Sequence, residues 1–341
     1  MRKEKDDPLK LRKFGKSGKD VSAVGVGAMS FANFYGPTNE ENSLAILDAA
    51  VAAGVTHIDT ANVYGMGRSE DTIGMFLNLR GAATRDGLFI ATKASITRGD
   101  DGKRIFRNDL EHLETELDKS LSRMGTDHVD LFYVHRRDPG VDIEEVAGTL
   151  GELVKKGKIR GIGFSEIAPS SLRRAATEHP VDAVQSEYSL GVRAPELGLV
   201  QACKELGTAL VAFGPVGRSF LTDTPISPDR IPDLDFLRVN PRFMEPNYSN
   251  NIKATDGFRA LASDMGLPAA SLAVAWVLAQ GAHVFAIPGT RSVAHFEELV
   301  KGGNVTLDAS QLAEIERVLP VGWAYGDRYS AGQWVGPERF S

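Results

Sequence analysis

The feature that constrains this chain most is an alternation that begins near its N-terminus and persists almost to its end. Short apolar runs read as strands over Val21–Met29, Gly54–Asp59, Leu88–Lys93, Val129–His135, Lys158–Phe164, Val181–Gln185, Ala209–Phe213 and Val284–Ile287. Stretches with helical periodicity separate most of them. Eight strands in such a rhythm predict an α/β fold of the closed (β/α)8 (TIM) barrel type, not an open doubly wound sheet. A length of 341 residues suits one barrel domain spanning 1–341. Leu9–Phe14 and the first run flank Gly15-Lys16-Ser17-Gly18, which predicts an N-terminal hairpin within the extension 1–20. Thr38 with Glu41, Asn108 with Glu111 and Asp308 with Gln311 have the spacing of capping boxes. The last of these opens an extra C-terminal helix to Leu319, followed by a tail, 320–341, that carries Trp323, Tyr325, Tyr329 and Trp334. The Pro-rich, polar stretch Leu221–Asn250 is too long for a routine connection and reads as a functional loop, with two helices expected between it and the eighth strand.

Charge and cysteine content narrow the class of partner. The net charge of −6, with no basic run longer than two residues, offers nucleic acid or an anionic membrane no general attraction. The one cysteine, Cys203, forms no internal disulfide and fits a reducing, cytoplasmic setting; with Trp276 it reads as core. Arg2–Asp7 lacks the apolar segment of a secretory signal. The charge-free span between Asp264 and Arg291 is broken by Pro268, Gln280, Gly281, His283 and Pro288, so it reads as a buried helix and strand.

In a barrel of this kind the carboxyl ends of the strands form the reaction face. Asp59 closes the second predicted strand, Lys93 the third and His135 the fourth. Side-chain alternation puts Asp59 on one face with Val55 and His57, Lys93 with Phe89 and Ala91, and His135 with Leu131 and Tyr133. If those faces point inward, three polar ends surround one opening, with Tyr64 above it on the loop that follows Asp59. A free tyrosine titrates near ~10, too high for acid–base work at neutral pH, and a neighbouring ammonium favours its ionised form. Asp59 would hold Lys93 charged, and His135 would orient a substrate oxygen. His57 reads as a satisfied interior histidine. A His57–Asp59–His135 metal site lacks a further strong ligand, so no metal is expected. Lys93 as a Schiff-base nucleophile is the competing chemistry. Gly25-Val-Gly27 lacks the third glycine and the helix of a dinucleotide fingerprint. Arg136, Arg137, Arg173 and Arg174 read as solvated charges or loop pairs.

His57-Ile-Asp-Thr-Ala-x-x-Tyr-Gly65, Gly67-x-Ser-Glu70, Ala91-Thr-Lys93, Val134-His135-Arg-x-Asp138, Gly161-Ile-Gly-Phe-Ser165, Gln185-x-x-Tyr188 and Ile287-Pro-Gly289-x-Arg291 occur in that order. Together they resemble the aldo-keto reductase family over nearly the whole chain, and the tail resembles its bacterial, yeast and plant branches. The resemblance implies an NADPH-dependent reductase of a small carbonyl substrate, with Asp59, Tyr64, Lys93 and His135 as a catalytic tetrad and Tyr64 as the general acid. It implies cofactor contacts at Gly27, Asp59, Ser165, Gln185 and the aromatic Phe213, and a pyrophosphate loop of Gly214, Pro215, Val216, Gly217 and Arg218. An adenosine-phosphate segment would hold Gly289, Thr290, Arg291, His295 and Glu298, with Arg291 suited to a 2′-phosphate. Three positions depart from the family pattern: Glu166 and Leu299 replace asparagines, and Gly289 replaces a lysine. Met29, Phe31, Phe34 and Ser95, with Tyr64, His135, the 221–250 loop and the tail, would wall the substrate pocket. A regulatory subunit that binds NADPH with little turnover, as in the potassium-channel β subunits of the family, is the alternative function.

Overall fold

The computed structural model describes residues 9–341; the N-terminal reading on Arg2–Asp7 lies outside them. The chain opens with an antiparallel hairpin, β1 (Leu11–Phe14) and β2 (Lys19–Ser22), turned at Gly15 and Gly18, both at positive φ. Its Phe14 ring is fully buried and packs at 4.5 Å from Phe89, 4.8 Å from Phe285 and 5.6 Å from His57 between ring centres. The hairpin thus plugs the floor of the main sheet. A side chain at Gly15 would collide with the Asp182 carbonyl oxygen, so the turn can approach that closely only as glycine.

The main sheet has eight parallel strands. In chain order they are β3 (Val26–Gly27), β4 (His57–Asp59) and β5 (Phe89–Ala94), then β8 (Leu131–Val134), β9 (Ile162–Ser165), β10 (Ala183–Glu187), β11 (Ala209–Phe213) and β12 (Val284–Ala286). Each pairs with its predecessor. The seam between the last and the first is closed by Ala286 N–H to the Ala23 carbonyl (2.9 Å), Gly25 N–H to the Ala286 carbonyl (2.8 Å) and Gly27 N–H to the Pro288 carbonyl (2.9 Å). Closure leaves no unpaired edge. One apolar cluster fills the interior, with Phe14, Phe89, Ala91, Leu131, Tyr133, Val211 and Phe285, and a larger one lies between strands and helices. Burial on both faces is why the strands read as continuous apolar runs. Val55 departs from the expected parity: it precedes β4 and packs in the outer cluster.

The helix 110–124 shows how the outer layer is built. Leu113, Leu117, Leu121 and Met124 recur on one face and are buried, each worth about 1.5–3 kcal/mol relative to exposure. The side chain that caps it is Asp109, accepting from His112 N–H at 3.0 Å. Asn108, the expected cap, instead accepts from Asp138 N–H (2.6 Å) and donates to the Arg136 carbonyl (3.2 Å). Likewise Asn39, not Thr38, caps the helix 40–52 through Asn42 N–H at 2.8 Å. In both places two adjacent capping residues compete, and the backbone selects the second. The Asp308–Gln311 box forms as expected, on the helix 309–318.

A hairpin and an additional helix were not foreseen. β6 (Ile96–Arg98) and β7 (Arg104–Phe106) make a hairpin beyond β5. Three helices, Asn247–Ala254, Asp256–Asp264 and Ala269–Ala279, precede β12 where two were expected. The stretch after β11 has its own small core of Phe220, Ile231, Leu234, Leu237 and Phe243, closed by Tyr248 from the helix that follows. Among the described residues no single helix is long and apolar enough to cross a membrane; the charge-free span is the buried helix 269–279 followed by β12.

Backbone packs against backbone at the seam. A side-chain carbon at Gly27 would lie 2.5 Å from the Ile287 carbonyl oxygen. Gly27→Ala is expected to lower unfolding stability by about 1–3 kcal/mol, read as a lower urea midpoint at unchanged slope; an unchanged midpoint would mean that the seam yields freely.

Candidate active site

The parallel register sets Asp59 beside Ala91 and Lys93 beside Tyr133, so the polar ends of β4 and β5 and the residue after β8 meet at the carboxyl rim. Lys93 is fully buried. Its ammonium donates to Asp59 Oδ1, to the Thr60 carbonyl (2.8 Å) and to Tyr64 Oη (3.4 Å), which uses all three of its protons. The other Asp59 oxygen, Oδ2, accepts from Gln185 Nε2 at 2.8 Å. Burial is the largest influence on both ions. It keeps the Asp59 carboxyl above its usual range despite Lys93 and Gln185. On Lys93 burial opposes the charge, but Asp59 and Tyr64 outweigh it and hold the ammonium above its usual value.

The Tyr64 and His135 rings meet edge to face with centres 5.8 Å apart, and Phe34 packs against Tyr64 at 6.1 Å. Burial, then the charges of Arg136, Lys93 and Arg104, push the His135 imidazole well below its usual pKa, so it is neutral. Its Nδ1 is buried without a partner, which leaves Nε2 as the nitrogen that reaches the opening. Asp59, Tyr64, Lys93 and His135 therefore converge at one mouth of the sheet.

His57 lies one layer lower, between Phe14 and Phe89. The expectation of a satisfied histidine does not hold, because neither ring nitrogen has a hydrogen-bond partner. Burial, followed by the charge of Lys93, drives its pKa down to about 3, so it too is neutral. No cluster of three or more His, Cys, Asp or Glu side chains among the described residues is arranged to hold a metal.

Several expected cofactor positions line the same rim. Phe213 ends β11, packed on the interior cluster yet partly exposed, and Gly214 and Gly217 turn the next loop at positive φ. Pro215 is buried and Val216 packs on the outer cluster. Ser165 accepts from Arg136 Nη1 at 3.0 Å, so Arg136 belongs to the rim and is not a solvated charge. Arg173 and Arg174 do form exposed pairs, with Glu205 and with Glu144 and Asp142. Gly289 faces the backbone of Gly27, where a side-chain carbon would stand 2.7 Å from the Gly27 carbonyl oxygen; this is why a lysine does not fit there. Thr290 accepts from Ser292 N–H, the Glu298 carbonyl accepts from Ser271, and His295 is exposed in the first turn of the helix 293–301. Of the expected pocket walls, Met29 is half-buried, whereas Phe31 is turned into the outer core. The Ser95 hydroxyl is taken up by the Arg136 backbone, accepting from its N–H and donating to its carbonyl, both at 2.9 Å.

Arg218 also departs from its expected place. In left-handed conformation (φ 53°) it turns inward, with Nη2 on Glu187 Oε2 and Nη1 on the Arg328 carbonyl, both at 2.8 Å. Arg328, from the tail, pairs with Glu166 at 2.9 Å and with Glu187 at 3.4 Å. Glu166 is thus a buried anchor where an amide was expected, and it too has positive φ (58°). Its carbonyl accepts from Glu338 N–H, and the Glu338 carboxylate takes Arg137 Nε (2.7 Å) and Ala168 N–H (2.8 Å). This cluster ties the tail to the strand ends that carry Ser165 and Gln185. The sequence signal for it was small: acidic residues just beyond two apolar strands, and arginines among aromatics.

Three comparisons bear on this geometry. The sequence model of the Aldo/keto reductase family matches residues 23–320. An aldo-keto reductase of Schizosaccharomyces pombe whose name carries NADP(+) is 37% identical over 322 residues, covering 93% of this chain and 94% of its own. A probable aldo-keto reductase of Glycine max is 35% identical, covering 95% and 92%. Among solved structures, a glycerol dehydrogenase of Gluconobacter oxydans superposes with a TM-score of 0.79 at 25% identity, covering 91% of this chain and 94% of its own.

Burial, the largest influence on Glu166, works against its carboxylate, but Arg328 and then Arg136 outweigh it and hold its pKa below the usual range. A depressed pKa contributes stability above the ordinary carboxylate range and loses it as pH falls through the folded value. Arg328→Met leaves the buried Glu166 carboxylate without its ion-pair partner, while Glu187 keeps Arg218, and is expected to cost roughly 3–5 kcal/mol at neutral pH. That deficit should shrink as the pH falls through the carboxylate range and Glu166 takes up a proton. Urea unfolding of both proteins at several pH values measures it, and a deficit independent of pH would contradict the assignment.

Proposed function

The chain belongs to the aldo/keto reductase family, and we propose that it is an NADP(H)-dependent oxidoreductase that interconverts an aldehyde or ketone and the corresponding alcohol, with Tyr64 as the general acid. The rim suits a nicotinamide dinucleotide. Phe213 offers a partly exposed ring, Gly214 and Gly217 provide a loop without side chains, and Arg291 stands in the loop beyond β12. When bound, the reduced cofactor supplies the hydride.

The protein's own groups handle the proton. Tyr64 Oη gives its proton to the carbonyl oxygen as negative charge develops there. Lys93 donates to that phenol oxygen and stabilises the charge left behind. Asp59 keeps Lys93 charged in a site where burial alone would discharge it. Neutral His135 presents Nε2 as a donor to the same substrate oxygen, which fixes the angle at which the carbonyl meets the phenol.

The observation that carries this reading is the threefold donation of the buried Lys93 ammonium to a carboxylate, a carbonyl and a phenol at the barrel mouth. It also counts against Lys93 as a Schiff-base nucleophile, since a fully buried, protonated amine has no lone pair to attack with.

With NADPH and 4-nitrobenzaldehyde, Tyr64→Phe should lower turnover by about 10²–10⁴-fold. NADPH binding, followed by quenching of protein fluorescence, should persist in the variant. Equal turnover in the two proteins would remove Tyr64 from the chemistry.

A further inference from the structure

Two guanidinium groups from distant parts of the chain approach each other over one glycine, Gly36. Arg291 lies in the loop beyond β12, one residue before the cap Ser292 of the helix 293–301. Arg230 lies in a short 3-10 turn, 228–233, of the stretch between β11 and the helix 247–254. They meet over Gly36: a side-chain carbon there would stand 3.0 Å from Arg291 Nη1 and 3.4 Å from Arg230 Nη2. Gly36 has a φ of 109° and leaves that space open.

Like charges so placed repel unless something negative lies between them. Among the described residues neither arginine forms an ion pair. Arg291 donates one bond, from Nη1 to the Pro37 carbonyl at 2.9 Å, and the Asp229 carboxylate next to Arg230 is engaged by the Ser227 hydroxyl. Burial and the charge of Arg230 both weaken the hold of Arg291 on its proton. The two nitrogens are close enough for one tetrahedral anion to accept from both, and the adjacent helix N-terminus favours the same sign of ligand.

We propose that Arg230 and Arg291 form a two-guanidinium clamp on the cofactor's 2′-phosphate, so that the phosphate itself bridges the 214–246 stretch to the barrel. The inference rests on the NADP(H) reading above and assigns part of the specificity to a residue outside the family's motifs. A cofactor without the 2′-phosphate leaves the repulsion between the two arginines in place, eased at Arg230 by the exposed Asp229 carboxylate beside it. Preference for the phosphorylated form then comes from relieved repulsion as well as from new hydrogen bonds.

Calorimetric titration with 2′,5′-ADP and with 5′-AMP separates the clamp from catalysis. The intact protein should bind 2′,5′-ADP more tightly. Arg230→Gln should weaken 2′,5′-ADP by roughly tenfold or more while changing 5′-AMP little, as should Arg291→Gln. Arg230→Lys should restore part of the loss, because a point charge remains without the planar fork. Limited proteolysis gives a second readout: 2′,5′-ADP should slow cleavage within 214–246 of the intact protein, and 5′-AMP should not. Undiminished discrimination in Arg230→Gln would overturn the clamp, as would an intact protein that fails to discriminate. Failure of the carbonyl-reductase reading would appear differently, as intact discrimination without carbonyl-dependent oxidation of NADPH.

Discussion

A carboxylate and an ammonium buried together at the end of a barrel strand are the constraint on which the site depends. Removing either ion from water costs several kcal/mol, and their mutual attraction offsets this only when the remaining hydrogen-bonding capacity is met. Here it is met: Gln185 satisfies the second oxygen of Asp59, while Thr60 and Tyr64 take the other protons of Lys93. The arrangement requires that three strands and one loop arrive in register. The closed sheet, plugged below by Phe14, provides that rigidity. The same burial that makes the pair expensive also keeps His57 and His135 neutral, so Lys93 is the cation that faces the phenol.

A second buried charge cluster repeats this logic on the opposite side of the rim. Glu166 follows the strand that carries Ser165 and Glu187 ends the one that carries Gln185, and they are compensated by Arg218 from the loop after β11 and Arg328 from the tail. Left-handed backbone at Glu166 and Arg218 is a conformation that non-glycine residues adopt at a cost, and these ion pairs hold it in place. The tail is therefore part of the site's frame: without it, the Glu166 carboxylate would be buried with no ion-pair partner and Glu187 would keep Arg218 alone.

The sequence displayed the barrel because strands buried on both faces are continuous apolar runs, and it displayed the meeting of Asp59, Lys93 and His135 because these polar residues interrupt those runs at their ends. It was less informative wherever neighbouring residues offered equivalent chemistry, as with Thr38 and Asn39 or Asn108 and Asp109, since only the settled backbone decides which side chain reaches the first free N–H. The β6–β7 hairpin was invisible because its short, charged strands carry no periodic signal. Partner choice was also hidden: Gln185 is engaged with Asp59, and Arg218 with Glu187, through contacts that span long chain separations. The pairing of Arg230 with Arg291 belongs to the same class, because an irregular, Pro-rich stretch gives no register from which to place a side chain.

The central claim is that Asp59 keeps a buried Lys93 charged beside the phenol. Heteronuclear NMR of the Lys93 side chain across a pH titration reads that charge directly. In the intact protein the ammonium should persist above pH 10.5, the ordinary lysine value. In Asp59→Asn, where burial is no longer opposed by a carboxylate, it should lose its proton well below that value. The same titration in both proteins would contradict the account.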